Sequence, residues 1–195
     1  MPNTIAFYIN LINETFKKKE VKLEPANLYE PIAYTLSLGG KRIRPALLML
    51  ANNLFGGKDE TALNSALAIE VFHNFTLMHD DIMDSAELRR GRRTAAREYG
   101  STAAVLLGDA LFSHALHLAA QFPTTEVCHM VSESTRKVCA GEIVQTLRRG
   151  STRITREDYW RIIDLKTAEL FRVSCYLGAM LSGADAAYVS AVAKF

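Results

Sequence analysis

Three carboxylates and two guanidinium groups fall within thirteen positions of this chain, where His79-Asp80-Asp81-Ile82-Met83-Asp84 is followed by Arg89-Arg90-Gly91. At 3.6 residues per turn a helix sets Asp80 and Asp84 on one face and Asp81 one position round. Like charges so close repel, and Mg²⁺ relieves the repulsion. That ion takes oxygen ligands, keeps several waters, and is typically held by one or two carboxylates plus substrate phosphate oxygens. Arg89 and Arg90 add fork-shaped donors that suit phosphate. The chemistry implied is metal-bridged binding of a polyanion. The alternative is a solvated acidic face with Arg89 and Arg90 as surface counter-ions, which charge runs usually are. The approach from Leu67 to Met83 is largely apolar, and ionised groups at the end of a core helix are costly unless paired or metal-bound.

A second polar cluster lies upstream in Gly39-Gly40-Lys41-Arg42-Ile43-Arg44-Pro45. Two glycines followed by a proline read as a helix start, whose free N–H groups and positive dipole end attract anions. Lys41 and Arg44, three apart, are expected on nearly the same side. A basic surface turn is the plain alternative. The pairing of a basic cradle with an acidic one, both opening from helix ends of an apolar chain, favours anion binding.

The elements that must carry these groups are helical. Apolar residues recur at three and four spacing near 4–18, 26–38, 44–55, 59–86, 101–121, 124–148 and 155–183, and alternating strand-like runs are absent. Gly56-Gly57, Gly91, Gly100, Pro123, Gly150 and Gly183 break the pattern. The expectation is one all-α domain over 1–195, a helical bundle with the metal site facing inward from helix ends. At 195 residues and 49% hydrophobic the chain can bury one substantial core. A net charge of +2 argues against a nucleic-acid partner, and Lys17-Lys18-Lys19 reads as a solvated helix end. Cys128, Cys139 and Cys175 form no CxxC pair and are odd in number, as expected of a reducing cytoplasm. No apolar run is expected to reach the roughly 18 residues of a membrane span, and the start lacks a signal-peptide pattern.

Taken in order, Gly39–Pro45, Glu70-Val71-Phe72-His73, His79–Asp84, Leu88-Arg89-Arg90-Gly91, Leu107-Gly108-Asp109-Ala110-Leu111, Gly141-Glu142-Ile143-Val144-Gln145 and Lys166-Thr167-Ala168 resemble the trans-isoprenyl diphosphate synthase (polyprenyl synthetase) family from about residue 30 onward. The resemblance implies an isoprenoid-synthase-like helical bundle, a homodimer and an Mg²⁺-dependent prenyltransferase. Asp80, Asp81 and Asp84 are then the metal ligands, with Mg²⁺ bridging to an allylic diphosphate gripped by Arg89. Arg90, Lys41, Arg44 and His73 are implied to hold isopentenyl diphosphate, and Lys166 with Thr167 to stabilise the departing diphosphate. His73 precedes Asp80 by seven residues, two helical turns, so helix projection independently puts it on that face. His79, His114, His117 and His129 are left as ordinary packing residues. The implied reaction needs no side-chain nucleophile, only charge neutralisation and a dry pocket, which fits the lack of an obvious Ser/His or Cys/His constellation.

Two departures from the family stand out. Arg93 replaces a usual proline, which is expected to loosen a turn and add charge. The family also carries a second aspartate-rich motif on a later helix, whereas downstream of Asp84 only the isolated Asp109, Asp158, Asp164 and Asp185 occur. The bundle is therefore expected to be the N-terminal portion of the family's full domain, C-terminally incomplete. Two function classes stay open, an Mg²⁺-dependent prenyltransferase or a non-catalytic subunit or inactive truncated relative. Phe75, five before the first aspartate, is implied to set the pocket floor and hence short farnesyl- or geranylgeranyl-class products. Helix geometry puts it about 7.5 Å below Asp80 but well round from its face, and the 141–145 segment is more like that of long-chain synthases. An ordinary core aromatic is the alternative.

Overall fold

The computed structural model describes residues 4–18, 29–122 and 124–194. Lys19, the expected helix start at 26–28 and the Pro123 break lie outside the described residues. The rest follows the helical reading: α1 Ile5–Lys18, α2 Tyr29–Ser37, α3 Ile43–Leu54, α4 Asp59–Met83, α5 Ala95–Tyr99, α6 Ser101–Ala120, α7 Glu126–Arg148, α8 Arg156–Ile162, α9 Glu169–Leu181 and α10 Ala186–Val192.

Helix α4 is the axis of the bundle. Every residue from Ala66 to Phe72 is buried, the pattern of a helix enclosed on all sides, and Asp59 and Glu60 in its first turn complement its dipole. It packs between α3 and α6, with α9 lying against both α3 and α4. The α3–α9 crossing is close because Gly178 has no side chain; a Cβ there would stand 2.2 Å from the Leu48 carbonyl oxygen. Helix α8 starts at a capping box, in which Asp158 donates its N–H to Thr155 Oγ1 at 3.0 Å and accepts from the Thr155 N–H at 3.2 Å.

Three features depart from the sequence reading. A two-stranded hairpin, β1 Leu88–Arg89 and β2 Arg92–Arg93, pairs Leu88 with Arg93 and Arg89 with Arg92. Its two-residue loop has Arg90 at φ 54° and Gly91 at φ 78°, the two positive angles of a type I′ turn. Strands this short carry no readable alternation. The expected helix 155–183 is interrupted by a wider π-helical stretch, Ile163–Ala168. Finally, α6 is 20 residues long and largely apolar, so among the described residues one helix does reach the length and apolarity of a membrane span. The expectation missed it because Asp109 and two histidines interrupt the run; here the helix packs along α4.

Candidate diphosphate and metal site

The three aspartates meet three cations, one from each of three elements. Asp81, buried, receives Arg89 of β1, whose Nε lies 3.1 and 3.2 Å from its two carboxylate oxygens while Nη2 closes the fork. This bidentate bond holds the Arg89 guanidinium above its usual pKa. Asp84, the residue that ends α4, pairs with Arg149 at the end of α7. Asp80 lies 3.2 Å from Lys166 Nζ, and the same ammonium touches Glu142 and lies 3.3 Å from Gln145 Oε1. Burial and the nearby Glu142 carboxylate push the Asp80 pKa up despite Lys166. Burial opposes the ammonium, yet Glu142 and Asp80 together raise the Lys166 pKa. Two carboxylates thus share one cation.

Lys166 reaches this position from the π-helical stretch, a local widening that frequently marks functional sites. Gly141 lets it come close: a Cβ there would stand 2.9 Å from Leu165 Cβ and 3.1 Å from the Lys166 backbone nitrogen. The Glu142 carboxylate is buried, and apart from the Lys166 ion pair neither oxygen has a hydrogen bond of proper geometry.

The basic cradle is built differently from the expectation. Helix α3 begins at Ile43, so Lys41 precedes it and is exposed, whereas Arg44 turns inward over the Phe171 ring at 4.6 Å. Arg42, at φ 48°, anchors the turn, with its guanidinium 2.5 Å from Glu70 Oε1, 3.2 Å from Asn13 Oδ1 and 3.2 Å from the Leu36 carbonyl oxygen. Arg44 Nη1 lies 3.1 Å from His73 Nε2. Arginine only donates, so Nε2 accepts and the proton is assigned to Nδ1. Burial, then Arg44, Arg90, Arg89 and Arg42, lower the His73 pKa to about 3, which keeps the ring neutral. His73 Nδ1 and Arg44 Nε are buried without a hydrogen-bond partner among the described residues. Arg90 joins this cluster from the hairpin turn, since a Cβ on Gly40 would stand 2.8 Å from Arg90 Nη1. Burial, with Arg42 and Arg89 nearby, lowers the Arg90 pKa. Two buried donors without acceptors beside clustered guanidinium groups form a site for an anion.

The structure thus brings Asp80, Asp81, Asp84, Arg89 and Lys166 to one end of α4, and Arg44, His73 and Arg90 to a second cluster beside them. A small cavity lined by residues including Asn74, Met78, Asp81, Arg89 and Arg90 adjoins both. Lys41 and Thr167 are exposed. Phe75 is buried against Phe72, Phe112 and His79, at ring separations of 5.6, 5.0 and 4.9 Å. Arg93 makes the added surface charge a pair with Glu98 at 3.4 Å. Sequence reasoning missed Arg42, Glu70, Glu142, Gln145 and Arg149 as parts of the site. Glu142 and Gln145 stood within a quoted motif, and their three-residue spacing on a helix was an available signal.

Among the described residues no three His, Cys, Asp or Glu side chains gather closely enough to enclose a metal. The donor set still suits Mg²⁺, which typically binds through one or two carboxylates and completes its shell with water and phosphate oxygens.

A geranylgeranyl diphosphate synthase of Methanosarcina mazei is 32% identical over 176 residues, 88% of this chain and 54% of the relative. An octaprenyl diphosphate synthase of Escherichia coli is 35% identical over 150 residues, 77% of this chain and 46% of the relative. A crystal structure of a polyprenyl synthase from Caulobacter crescentus, complexed with calcium and isoprenyl diphosphate, superposes with a TM-score of 0.90 at 28% identity, covering 97% of this chain and 60% of that one. The chain spans about half the length of the curated relatives it matches. The polyprenyl synthetase family model matches residues 25–195, and the chain belongs to the polyprenyl synthetase family.

Proposed function

We propose that the protein containing this chain is a prenyltransferase that condenses isopentenyl diphosphate with an allylic diphosphate, with Mg²⁺ as its metal. The observation that carries the reading is the side-by-side arrangement of a carboxylate end of α4, where each aspartate is paired with a cation, and a basic cluster with unpartnered donors on Arg44 and His73. Asp80, Asp81 and Asp84 would hold Mg²⁺, which supplies charge neutralisation to the diphosphate. Arg89 and Lys166 turn from their aspartates to the allylic diphosphate, so that the C1–O bond breaks with both electrons leaving on the diphosphate. Lys41, Arg44, His73 and Arg90 hold the second diphosphate. The isopentenyl double bond then attacks C1, a C–C bond forms, and a proton leaves to the released diphosphate. Thr167 belongs to the leaving-group end of the site. The calcium and isoprenyl diphosphate of the Caulobacter structure support divalent-metal use by analogy.

Phe75 closing the pocket floor would favour farnesyl- or geranylgeranyl-class products. Assembly as a homodimer belongs to the same reading and is supported by the exposed Leu106 and Val105 on α6. A reducing cytoplasmic setting is supported by the free Cys128, Cys139 and Cys175. The second reading is a non-catalytic subunit or inactive truncated relative of a prenyl synthase. Condensation of labelled isopentenyl diphosphate with geranyl and farnesyl diphosphates, assayed for this chain and for a version carrying a second aspartate-rich helix, separates the two. Product made by neither this chain nor a version carrying a second aspartate-rich helix would overturn the prenyltransferase reading.

A further inference from the structure

We propose that Arg149 is a third cation of the allylic diphosphate site, seated on Asp84 and handed to the diphosphate when a divalent ion takes that carboxylate. The inference deepens the prenyltransferase reading and rests on it.

The geometry is specific. Helix α7 ends at Arg148, and Arg149 follows in extended conformation at φ −60°, ψ 125° before Gly150 at φ 78°. That exit carries the side chain off α7 to the end of α4, where Nη2 pairs with Asp84 and Nη1 donates to the Met83 carbonyl oxygen at 3.1 Å. The neighbouring Arg148 is committed elsewhere, to Asp158 at 3.1 Å. Each aspartate of the cluster therefore has its own cation: Lys166 for Asp80, Arg89 for Asp81 and Arg149 for Asp84. The first two are groups the proposed mechanism moves to the diphosphate, and Arg149 stands in the same relation to its carboxylate.

A planar guanidinium suits this exchange, since it pairs equally with carboxylate and phosphate oxygens through the same fork. The Asp84–Arg149 pair is half exposed, with side-chain exposures of 44% and 48%, so it is weak enough to be displaced. It differs in this from the more buried Asp81–Arg89 pair. The consequence is opposed effects on two ligands: Arg149 competes with the divalent ion for Asp84, yet holds the diphosphate that the ion brings.

Isothermal titration of the chain with Mg²⁺ alone, and with inorganic pyrophosphate at saturating Mg²⁺, tests this. In Arg149→Gln, Mg²⁺ alone should bind about two- to five-fold tighter, and pyrophosphate about ten-fold weaker. Arg149→Lys, which keeps the charge but loses the fork, should fall between. A merely structural role would weaken both ligands or neither, and either result overturns the proposal, as does a change in one ligand only. Wild-type chain that takes up neither Mg²⁺ nor pyrophosphate would sink the prenyltransferase reading itself, and this inference with it.

Discussion

Replacing Arg42 by alanine should cost this chain about 3–5 kcal/mol, because it strands the Glu70 carboxylate in the core. The Arg42 and Glu70 side chains are only 4% and 2% exposed. Arg42 also bonds Asn13 and the Leu36 carbonyl and lies 5.2 Å over the Phe16 ring, tying α1, the end of α2 and α4 together at one point. Asn74 donates to the same Glu70 oxygen at 3.2 Å, and this neutral contact offsets little of a lost cation. Against a typical total of about 5–15 kcal/mol, the loss lowers the melting midpoint by roughly 6–20 °C at 2–4 °C per kcal/mol for a chain of this size. The backbone supplies an internal control. Arg42 sits at φ 48°, so Arg42→Gly should be about 1 kcal/mol more stable than Arg42→Ala. Replacing both partners, Arg42→Met with Glu70→Met, should recover most of the stability, since removing a whole buried pair is often neutral. Urea unfolding followed by circular dichroism measures all four proteins. A loss under about 1 kcal/mol in Arg42→Ala, or a double variant as unstable as the single, would refute the reasoning.

Three further outcomes are expected. His73, with a folded pKa of about 3 against about 6.5 when unfolded, takes up its proton only in the unfolded chain as pH falls through 6.5. Stability should therefore drop by up to about 1.4 kcal/mol per pH unit from pH 6.5 towards 3; unfolding of His73→Gln should show a shallower slope in that window, and an identical slope would contradict the assignment. Lys41→Ala, exposed and before the helix, should change stability by less than about 0.5 kcal/mol while weakening isopentenyl diphosphate by about 1.5–3 kcal/mol in titration calorimetry; allylic diphosphate weakened equally would mean the two clusters are not separate sites. Phe75→Ala should cost about 3–5 kcal/mol of stability and lengthen the products of an active chain, read by chromatography after dephosphorylation; an unchanged length distribution leaves Phe75 as core alone.

The helices of the site were legible because their faces are long and apolar, and Asp80, Asp81 and Asp84 were legible because carboxylates at the end of such a run are costly without partners. The individual partners were not. Arg89 and Arg90 are adjacent, and only the type I′ turn separates them, sending one to Asp81 and the other to Gly40. Lys41 and Arg44 looked equivalent at a spacing of three, but the helix starts between them, leaving one in solvent and one over Phe171. Arg42 carries no role legible in the sequence, since nothing local announces that Glu70, 28 residues on, is buried beneath it. The π-helical stretch packs closely against α7 at Gly141, a tertiary contact that periodicity within 155–183 does not encode.

The central claim is that a divalent ion bridges the α4 aspartates to a diphosphate. Calorimetric titration of the chain with geranyl diphosphate, with and without Mg²⁺, for wild type and Asp80→Asn plus Asp81→Asn, addresses it most directly. Wild type should show strong Mg²⁺-dependent binding that disappears in the double variant while the fold persists. Equal affinity with and without Mg²⁺, or a double variant that binds as wild type does, would contradict it.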